Sequence, residues 1–284
     1  MQVFHSIDKL RQEVVRHKAR GAKVALVPTM GNLHDGHLRL IEEAGKHADW
    51  VLCSIFVNPM QFGPGEDLEA YPRTLKQDIS RLAGINCDGL FQPDISEIYP
   101  QGLENQTIVT VPDLASRHCG ASRPGHFDGV TTVVSKLFNL CQPDQAYFGL
   151  KDYQQYLLIQ KMVSDLFVQV DIRGVETVRE ADGLALSSRN SYLTEAERRI
   201  APVLYRTLQA TRDRIQSGDR EYRSLESAAL QELTDHGLNP EYFTINNGDS
   251  LLPAAPTDSF LAVLAAARLG KTRLIDNIRF TVIS

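Results

Sequence analysis

The sequence has 284 residues, of which 43% are hydrophobic, so it is long enough to bury the core of one large domain or two modest ones. Its formal net charge of -5 excludes the broad basic surface on which nucleic-acid-binding proteins depend. Four separate cysteines without a C-x-x-C pair argue against a zinc knuckle and against a disulfide framework.

The first residues, MQVFHSIDKL, lack the basic segment and apolar stretch of a secretory signal. No stretch of the sequence approaches the roughly 20 apolar residues that cross a bilayer. We therefore expect a cytoplasmic protein that binds neither nucleic acids nor membranes.

Apolar runs alternate with helical patterns along residues 1–176. The runs are KVALVPT, WVLCSIFV, GLFQPD and QAYFGL, and Leu38, Ile41 and Ala48 mark one face of the helix after the first run. This β-α-β-α order predicts an α/β fold with a Rossmann-like parallel sheet. Ligands of such sheets bind at the carboxyl ends of the strands.

The stretch VPTMGNLHDGHLRL, residues 27–40, follows the first run and opens a helix. Its His34 and His37 lie on one side of the helix start, where free backbone N–H groups and the helix dipole favour a phosphate. Gly31 and Gly36 lack Cβ atoms and would let a phosphate or an adenine ring approach the backbone. The alternative is that one histidine caps the helix and the other is a partly buried surface residue.

The stretch FGLKDYQQ follows another strand. Lys151 is the compact cation expected beside transferring phosphates, and Asp152 could hold magnesium or the ribose. The alternative is a solvated helix start in which Asp152 supplies an N-terminal negative charge.

A second, smaller α+β domain is predicted over residues 177–284. Thr194 and Glu197 form a capping box that opens a long amphipathic helix. A further helix is predicted near YRSLESAALQELTDHG, and strands are predicted near EYFTI, SFLAVLAAA and TRLIDNIRF.

The stretch AAARLGKT, residues 265–272, fits a permissive P-loop pattern. A true P-loop opens a helix, whereas the sequence that follows, RLIDNIRF, alternates as a strand does. We therefore interpret Gly270, Lys271 and Thr272 as a turn between strands.

Six motifs together resemble the pantothenate synthetases, ATP-dependent ligases that join pantoate to β-alanine. They are VPTMGNLHDGH, FVNPMQF, YPR, RPGHFDGV, FGLKDYQQ and LALSSRN, in that order. The resemblance implies a nucleotidylyltransferase-like Rossmann domain (1–176) that binds ATP and pantoate. It also implies a C-terminal domain (177–284) that closes over the active site, and a homodimer.

The resemblance implies a reaction in two steps, in which pantoyl adenylate forms from ATP and is then attacked by β-alanine. His37 would be the proton donor, and His34, Lys151 and Arg189 would be the other catalytic residues. The ATP-binding residues implied are Met30, Gly31, Asn32, Leu33, His34, Asp35, Gly36, His37, Gly149, Leu150, Lys151, Asp152, Val178, Leu186, Ser187, Ser188 and Arg189.

LALSSRN corresponds to a mobile loop of related synthetases, with Ser187, Ser188 and Arg189 as donors to the triphosphate. It lacks the lysines of that pattern, so Arg189 supplies the charge; without the resemblance, SSRN is a polar loop before a helix.

Pantoate would be held by Gln61 and Gln155, with Asn58 and Met60 completing the wall. Two glutamines on surface helices would look identical in sequence. Mg2+ is the implied metal ion, with Asp152 as its ligand. No chemistry is assigned to Arg73, Arg123 or His126.

Three other functions fit parts of the sequence. An adenylyltransferase of the same superfamily would need a basic acceptor pocket in place of Gln61 and Gln155. The length, the acidity and the lack of an anticodon-binding region argue against an aminoacyl-tRNA synthetase. A non-catalytic nucleotide-binding module would not require His34, His37, Lys151 and Arg189 together.

Overall fold

The computed structural model describes residues 1–85 and 87–282, and the chain divides into two compact units. The first comprises Met1–Leu150 and Gln155–Glu176, and the second comprises Lys151–Gln154 and the chain from Thr177 onward. Each unit has its own sheet.

Residues up to Glu176 form the following strands and helices: β1 (Gln2–Phe4), α1 (Ile7–Ala19), β2 (Val24–Thr29), α2 (Asp35–Ala44), β3 (Trp50–Ile55), α3 (Leu75–Ala83), β4 (Gly89–Phe91), α4 (Ile95–Ile98), α5 (Cys119–Ser122), α6 (His126–Cys141), β5 (Gln145–Gly149), α7 (Tyr153–Asp165) and β6 (Asp171–Val175). The later elements are α8 (Glu195–Ile200), α9 (Val203–Gln216), α10 (Tyr222–Asp235), β7 (Asn239–Asn247), β8 (Phe260–Leu269) and β9 (Thr272–Thr281). Short 3-10 turns cover Pro59–Gln61, Leu114–Ser116, Leu150–Asp152 and Ser188–Tyr192.

The first sheet is parallel, with the strand order β1-β4-β3-β2-β5-β6, which confirms the predicted fold class. Val24 to Val27 of β2 are all 0% exposed, because helices cover both faces of the sheet. The strand order reverses between β2 and β5, and this reversal places the ligand crevice of such sheets at their carboxyl ends. The loop with His34 and His37 leaves β2 at that edge.

All four apolar runs of the first domain form strands, as predicted, whereas β1 and β6 were missed. Both missed strands lie at the edges of the sheet, and each has mostly exposed or half-buried residues. A short edge strand has little apolar surface to bury, so its sequence carries little hydrophobic pattern.

The second sheet is antiparallel in the order β7-β8-β9, and it packs with α9 and α10 around a core that includes Leu208, Leu233, Phe243 and Val263. The predicted α+β character of the C-terminal part is confirmed. The tight connection between β8 and β9 also confirms the turn at Gly270, whose φ is 56°, and Lys271, whereas Thr272 is already the first residue of β9 and pairs with Leu269.

The capping box at Thr194 is confirmed, but the long helix predicted after it is wrong. Thr194 Oγ1 accepts the Glu197 N–H at 3.3 Å, and Glu197 Oε2 accepts the Thr194 N–H at 2.8 Å. The helix ends at Ile200, and a new one starts at Val203. Pro202 interrupts the pattern because it has no N–H to donate to a preceding carbonyl.

Candidate active site

A buried carboxylate from α3 holds the loop that follows β2. Asp78 is 2% exposed and accepts hydrogen bonds from the backbone N–H groups of Asn32 at 3.0 Å and Leu33 at 2.8 Å. Gly31 has a φ of 82°, and a Cβ there would lie 3.0 Å from the Ile55 side chain and 3.2 Å from Asp78. Glycine is therefore required at position 31 by the loop's own conformation and packing.

His34 and His37 lie together at the start of α2. Their ring centroids are 4.0 Å apart, and His37 Nδ1 faces the backbone N–H of His34 at 3.3 Å. Because an N–H can only donate, Nδ1 of His37 accepts, and neutral His37 has its proton on Nε2. His37 thus caps the helix with one nitrogen and keeps an N–H donor on the other.

The remaining residues of this segment differ in exposure. Leu33 is buried, Met30 and Gly36 are half-buried, and Asp35 is exposed and accepts a 3.3 Å hydrogen bond from Arg81. At the end of β5, Gly149 is half-buried and Leu150 is buried.

Asn58, in the turn after β3, is 1% exposed and has both amide atoms engaged. Its Nδ2 donates to the Gly129 carbonyl and to Gln61 Oε1, each at 3.0 Å. Its Oδ1 accepts from the Met60 N–H at 3.3 Å and from the Tyr99 hydroxyl at 2.8 Å. A carbonyl only accepts and a backbone N–H only donates, so one orientation of the Asn58 amide satisfies both.

This orientation also decides what Gln61 can offer to a ligand. Gln61 is 8% exposed, and Asn58 occupies its side-chain oxygen. Within the residues that the structure describes, no protein group accepts a hydrogen bond from the Gln61 amino group. Gln61 therefore presents a donor.

Two residues of α6 and its preceding turn hold the backbone of Gln61. Its carbonyl accepts from His126 Nδ1 at 2.7 Å and from Arg123 at 3.2 Å. Arg123 also donates to His126 Nε2 at 2.9 Å. Because a carbonyl can only accept, His126 donates through Nδ1, and Nε2 is the atom that faces Arg123.

Glu66 completes this network by accepting two hydrogen bonds from Arg123, at 2.7 and 2.6 Å. Burial raises the pKa of Glu66, but the hydrogen bond and charge of Arg123 outweigh it, so the pKa lies below its ordinary value. Arg73 has a similar local role, because it donates to the carbonyls of Leu68, Glu69 and Tyr71. These contacts give structural roles to the three residues left without chemistry.

Gln155, the second glutamine of the predicted pantoate site, is half-buried on α7 and clusters with the first unit. In the described part of the chain its amide makes no hydrogen bond to the protein. Its neighbour Gln154 is 4% exposed and clusters with the second unit.

Lys151 belongs to the second unit and lines a recess there together with Ser187, Asn190 and Asp276. Its Nζ lies 4.0 Å from an oxygen of the more exposed Asp152. The structure thus brings together the predicted phosphate residues Lys151 and Ser187.

A hairpin positions the other predicted ATP residues of the second unit. The Leu186 N–H donates to the Val178 carbonyl at 3.0 Å. Ser187 Oγ accepts the Arg189 N–H at 3.2 Å, which starts the 3-10 turn that contains Ser188.

A buried ion pair ties this hairpin to β9. Arg179 donates to both oxygens of Asp276, at 2.5 and 2.8 Å, and its guanidinium lies 3.5 Å from the Tyr205 ring centroid. Burial raises the pKa of Asp276, and the paired guanidinium opposes that rise.

Asp78 and Asp276 are not among the predicted site residues, although the sequence carries a signal for both. Asp78 lies on the same helical stripe as Leu75 and Leu82, and a charge in an apolar stripe indicates a buried partner. Asp276 alternates with Leu274 on the buried side of its strand. Tyr99 has no comparable signal in the sequence, because its hydrogen bond to Asn58 joins segments that are 41 residues apart.

No three His, Cys, Asp or Glu side chains form a possible metal cage within residues 1–85 and 87–282. In the same residues, no helix is both long and apolar enough to cross a membrane.

Comparison with known proteins gives a consistent family. The model of the pantoate-beta-alanine ligase family matches residues 2–279. Pantothenate synthetase of Marinobacter nauticus is 52% identical over 281 residues, which cover 99% of this chain and 100% of that protein. Pantothenate synthetase of Stutzerimonas stutzeri is 54% identical over 98% of this chain and 97% of its own length.

Solved structures agree with the sequence relatives. Pantothenate synthetase from Thermus thermophilus has a TM-score of 0.92 at 44% identity, covering 98% of this chain and 99% of that one. Pantoate-beta-alanine ligase from Francisella tularensis, complexed with beta-gamma ATP and beta-alanine, has a TM-score of 0.82 at 36% identity, covering 98% and 97%.

Proposed function

The chain belongs to the pantoate–β-alanine ligase family, and from this membership we propose how its residues act in the reaction. It is an ATP-dependent ligase that condenses pantoate with β-alanine to give pantothenate. The assignment of roles depends chiefly on one observation, the hydrogen bond that leaves His37 with an Nε2–H donor.

The proposed reaction has two steps. An oxygen of the pantoate carboxylate attacks the α-phosphorus of ATP, the bond to the β-phosphate oxygen breaks, and pyrophosphate leaves. The amine of β-alanine then attacks the acyl carbon of pantoyl adenylate, the bond to AMP breaks, and the amine loses a proton. Negative charge builds on the phosphates in the first step, so donors and cations fixed beside them lower the barrier.

Several residues would supply those groups. His37 donates from Nε2 and His34 lies beside it, while Met30 to Gly36 line the nucleotide. In the second unit Lys151 and Arg189 provide positive charge, and Ser187 and Ser188 provide hydroxyl donors. Gly149, Leu150, Val178 and Leu186 complete the proposed ATP-binding set.

Pantoate would be bound by neutral amides, which hold its hydroxyl and carboxylate oxygens. A positively charged side chain there would pair with the carboxylate, which is the nucleophile of the first step. Gln61 donates through its amino group, and Gln155 can donate and accept. Asn58 is fully occupied by protein groups, so we assign it to orienting Gln61, and Met60 to supporting the same turn.

Mg2+ fits the residues present only as an ion that arrives with ATP. Asp152 is one carboxylate near Lys151, and Mg2+ bound through substrate phosphates commonly needs one or two carboxylates from the protein. When bound, the ion would neutralise charge on the phosphate oxygens.

Two further properties belong to the proposal, a homodimeric state and a cytoplasmic location. Light scattering of the purified protein should give about twice the mass of one chain, and cell fractionation should recover the enzyme with cytosolic markers. A monomer, or recovery with membranes, would contradict them.

The function is tested by incubating the protein with ATP, Mg2+, pantoate and β-alanine, and detecting pantothenate and AMP. Without β-alanine, labelled pyrophosphate should exchange into ATP only when pantoate is present. Pyrophosphate exchange in the absence of pantoate would argue against a pantoyl adenylate step. Lys271→Ala should leave both reactions unchanged, because Lys271 lies in the β8–β9 turn.

A further inference from the structure

Strand β9 presents two consecutive buried polar residues, Asp276 and Asn277, which are 5% and 4% exposed. Buried polar groups in a strand are costly unless they make hydrogen bonds. Each of these two side chains contacts a different segment that the proposed function uses for ATP.

Asn277 holds the backbone of Lys151. Its Nδ2 donates to the Lys151 carbonyl at 2.9 Å. Tyr153 is anchored in the same unit, because its hydroxyl donates to the Gly248 carbonyl at 2.8 Å and the Arg279 guanidinium lies 5.0 Å from its ring centroid. The short segment that bears Lys151 is therefore fixed from the C-terminal sheet.

Asp276 holds the hairpin that leads to Ser187, through its ion pair with Arg179. The two β9 residues are also coupled to each other, since the Asn277 N–H donates to Asp276 Oδ1 at 2.8 Å. Arg179 completes the link by donating to the Asn277 carbonyl at 3.4 Å.

We propose that Asn277 is a positioning residue for Lys151, and that Asp276 and Arg179 lock Asn277 and the Ser187 hairpin to the same point of β9. The inference rests on the proposed function, in which Lys151 acts on the phosphates of ATP. The lysine side chain is long and flexible, so its ammonium group can be placed accurately only if its backbone is fixed. A misplacement of about 1 Å at a reacting group can cost about a hundredfold in rate.

The test compares Asn277→Ala with a matched variant, Asn246→Ala. Asn246 is a 2% exposed amide in β7 of the same sheet, and it bonds to Thr244 and Ala262 rather than to Lys151. Pantoate-dependent pyrophosphate exchange and thermal unfolding are measured for both. We expect Asn277→Ala to lose at least about tenfold in kcat/KM for ATP with little change in KM for pantoate, while Asn246→Ala loses similar stability but less than about twofold in exchange.

A double-mutant cycle separates this inference from the function on which it rests. If Asn277 acts through Lys151, adding Asn277→Ala to Lys151→Ala should cause no further loss. Equal losses in the two asparagine variants, or a full additional loss in the Lys151→Ala background, would overturn the positioning role alone. Full activity of Lys151→Ala would overturn the phosphate role of Lys151 as well. If Asn277→Ala does not fold, Asn277→Ser is measured in the same way.

Discussion

Backbone groups fix the hydrogen-bonding polarity of two side chains in the first unit. The His34 N–H assigns Nδ1 of His37 as an acceptor, and the Gly129 carbonyl and Met60 N–H assign the Asn58 amide that orients Gln61. In both cases a backbone group, which cannot exchange donor for acceptor, determines what the side chain offers to a ligand.

Replacement of His37 tests the proposed Nε2 donor. His37→Asn retains an acceptor for the His34 N–H but has no group at Nε2, and His37→Ala has neither. Both should lower the rate of pantoate-dependent pyrophosphate exchange about 10²- to 10³-fold, with little change in ATP binding measured by calorimetry. Near-normal exchange in His37→Asn would reduce His37 to a helix cap.

Gln61→Glu tests the orientation of the amide. The carboxylate keeps the shape of the side chain and can accept from Asn58, but it has no N–H to donate. We expect KM for pantoate to rise roughly 5- to 150-fold, corresponding to about 1–3 kcal/mol, and kcat to fall.

KM for ATP should barely change in Gln61→Glu. Gln155→Ala should likewise raise KM for pantoate and leave KM for ATP almost unchanged. Pantoate kinetics indistinguishable from the parent in Gln61→Glu would show that Gln61 does not donate to this substrate.

Some of these residues could be predicted from sequence and others could not. His34, His37, Lys151 and Gln61 lie in short motifs whose order identifies the family. The Asn58 amide that donates to Gln61 is oriented by hydrogen bonds with Gly129 and Tyr99, which are far away in sequence. Contacts of this kind become visible only when the chain is folded.

At the level of elements, helix α6 is packed against the turn that bears Gln61. A Cβ at Gly129 would lie 2.2 Å from the Met60 carbonyl oxygen, so only glycine permits this approach. The pairing of Arg123 and His126 with the Gln61 carbonyl adds polar contacts at the same junction.

Gly129→Ala should therefore disturb both stability and substrate binding. The added Cβ would meet backbone atoms of Met60 and Gln61, which cannot move aside as the end of a flexible side chain can. We therefore expect a loss of about 1–3 kcal/mol in the free energy of unfolding, measured with urea, and a raised KM for pantoate. Gly84→Ala is the control, because its nearest contact would be an ordinary 3.4 Å. Similar results for the two variants would contradict the close packing of α6.

The Glu66–Arg123 pair should make stability depend on acidity. The pKa of Glu66 in the folded protein lies below its ordinary value of 4.5, so the pair stabilises the fold above that pH and is lost as the pH falls through the lowered pKa. Glu66→Gln should lose about 1 kcal/mol at neutral pH, and this loss should shrink as the pH falls below 4.5.

Urea unfolding of Glu66→Gln and the parent across this pH range measures the effect. Glu104→Gln, which changes an exposed carboxylate, serves as the control. A difference between Glu66→Gln and the parent that stays constant with pH would refute the ion-pair explanation.

The strands with a strong apolar pattern were predicted correctly, and the errors have local causes. Ala48, which was predicted on the helix after His37, lies beyond the end of that helix at Ala44. The edge strands β1 and β6 bury too little to show a pattern. The helix after Thr194 was predicted too long because its amphipathic pattern continues past Pro202, although the backbone cannot continue there.

For the whole molecule, the four cysteines should differ sharply in reactivity. Cys53, Cys87 and Cys141 are buried, and burial raises the pKa of Cys87 to about 11 and of Cys141 to about 12. Their thiolates are scarce at neutral pH and inaccessible, whereas Cys119 is half-buried.

Iodoacetamide should therefore modify Cys119 alone in the native protein, and all four after unfolding. Mass spectrometry of the digested protein locates the label, and Cys119→Ser should remove it. Labelling of Cys141 without unfolding would contradict the structure.

Because residues 151–154 belong to the second unit, gene recombination between relatives is constrained in this region. Gene recombination that joins residues 1–176 of one relative to the remainder of another takes Lys151 and Tyr153 from one parent and their anchors Gly248, Asn277 and Arg279 from the other. In chimeras joined at residue 176, substitutions at the anchor residues should be tolerated only together with compatible changes at residues 151–154. A crossover that keeps these two stretches from the same parent avoids that constraint.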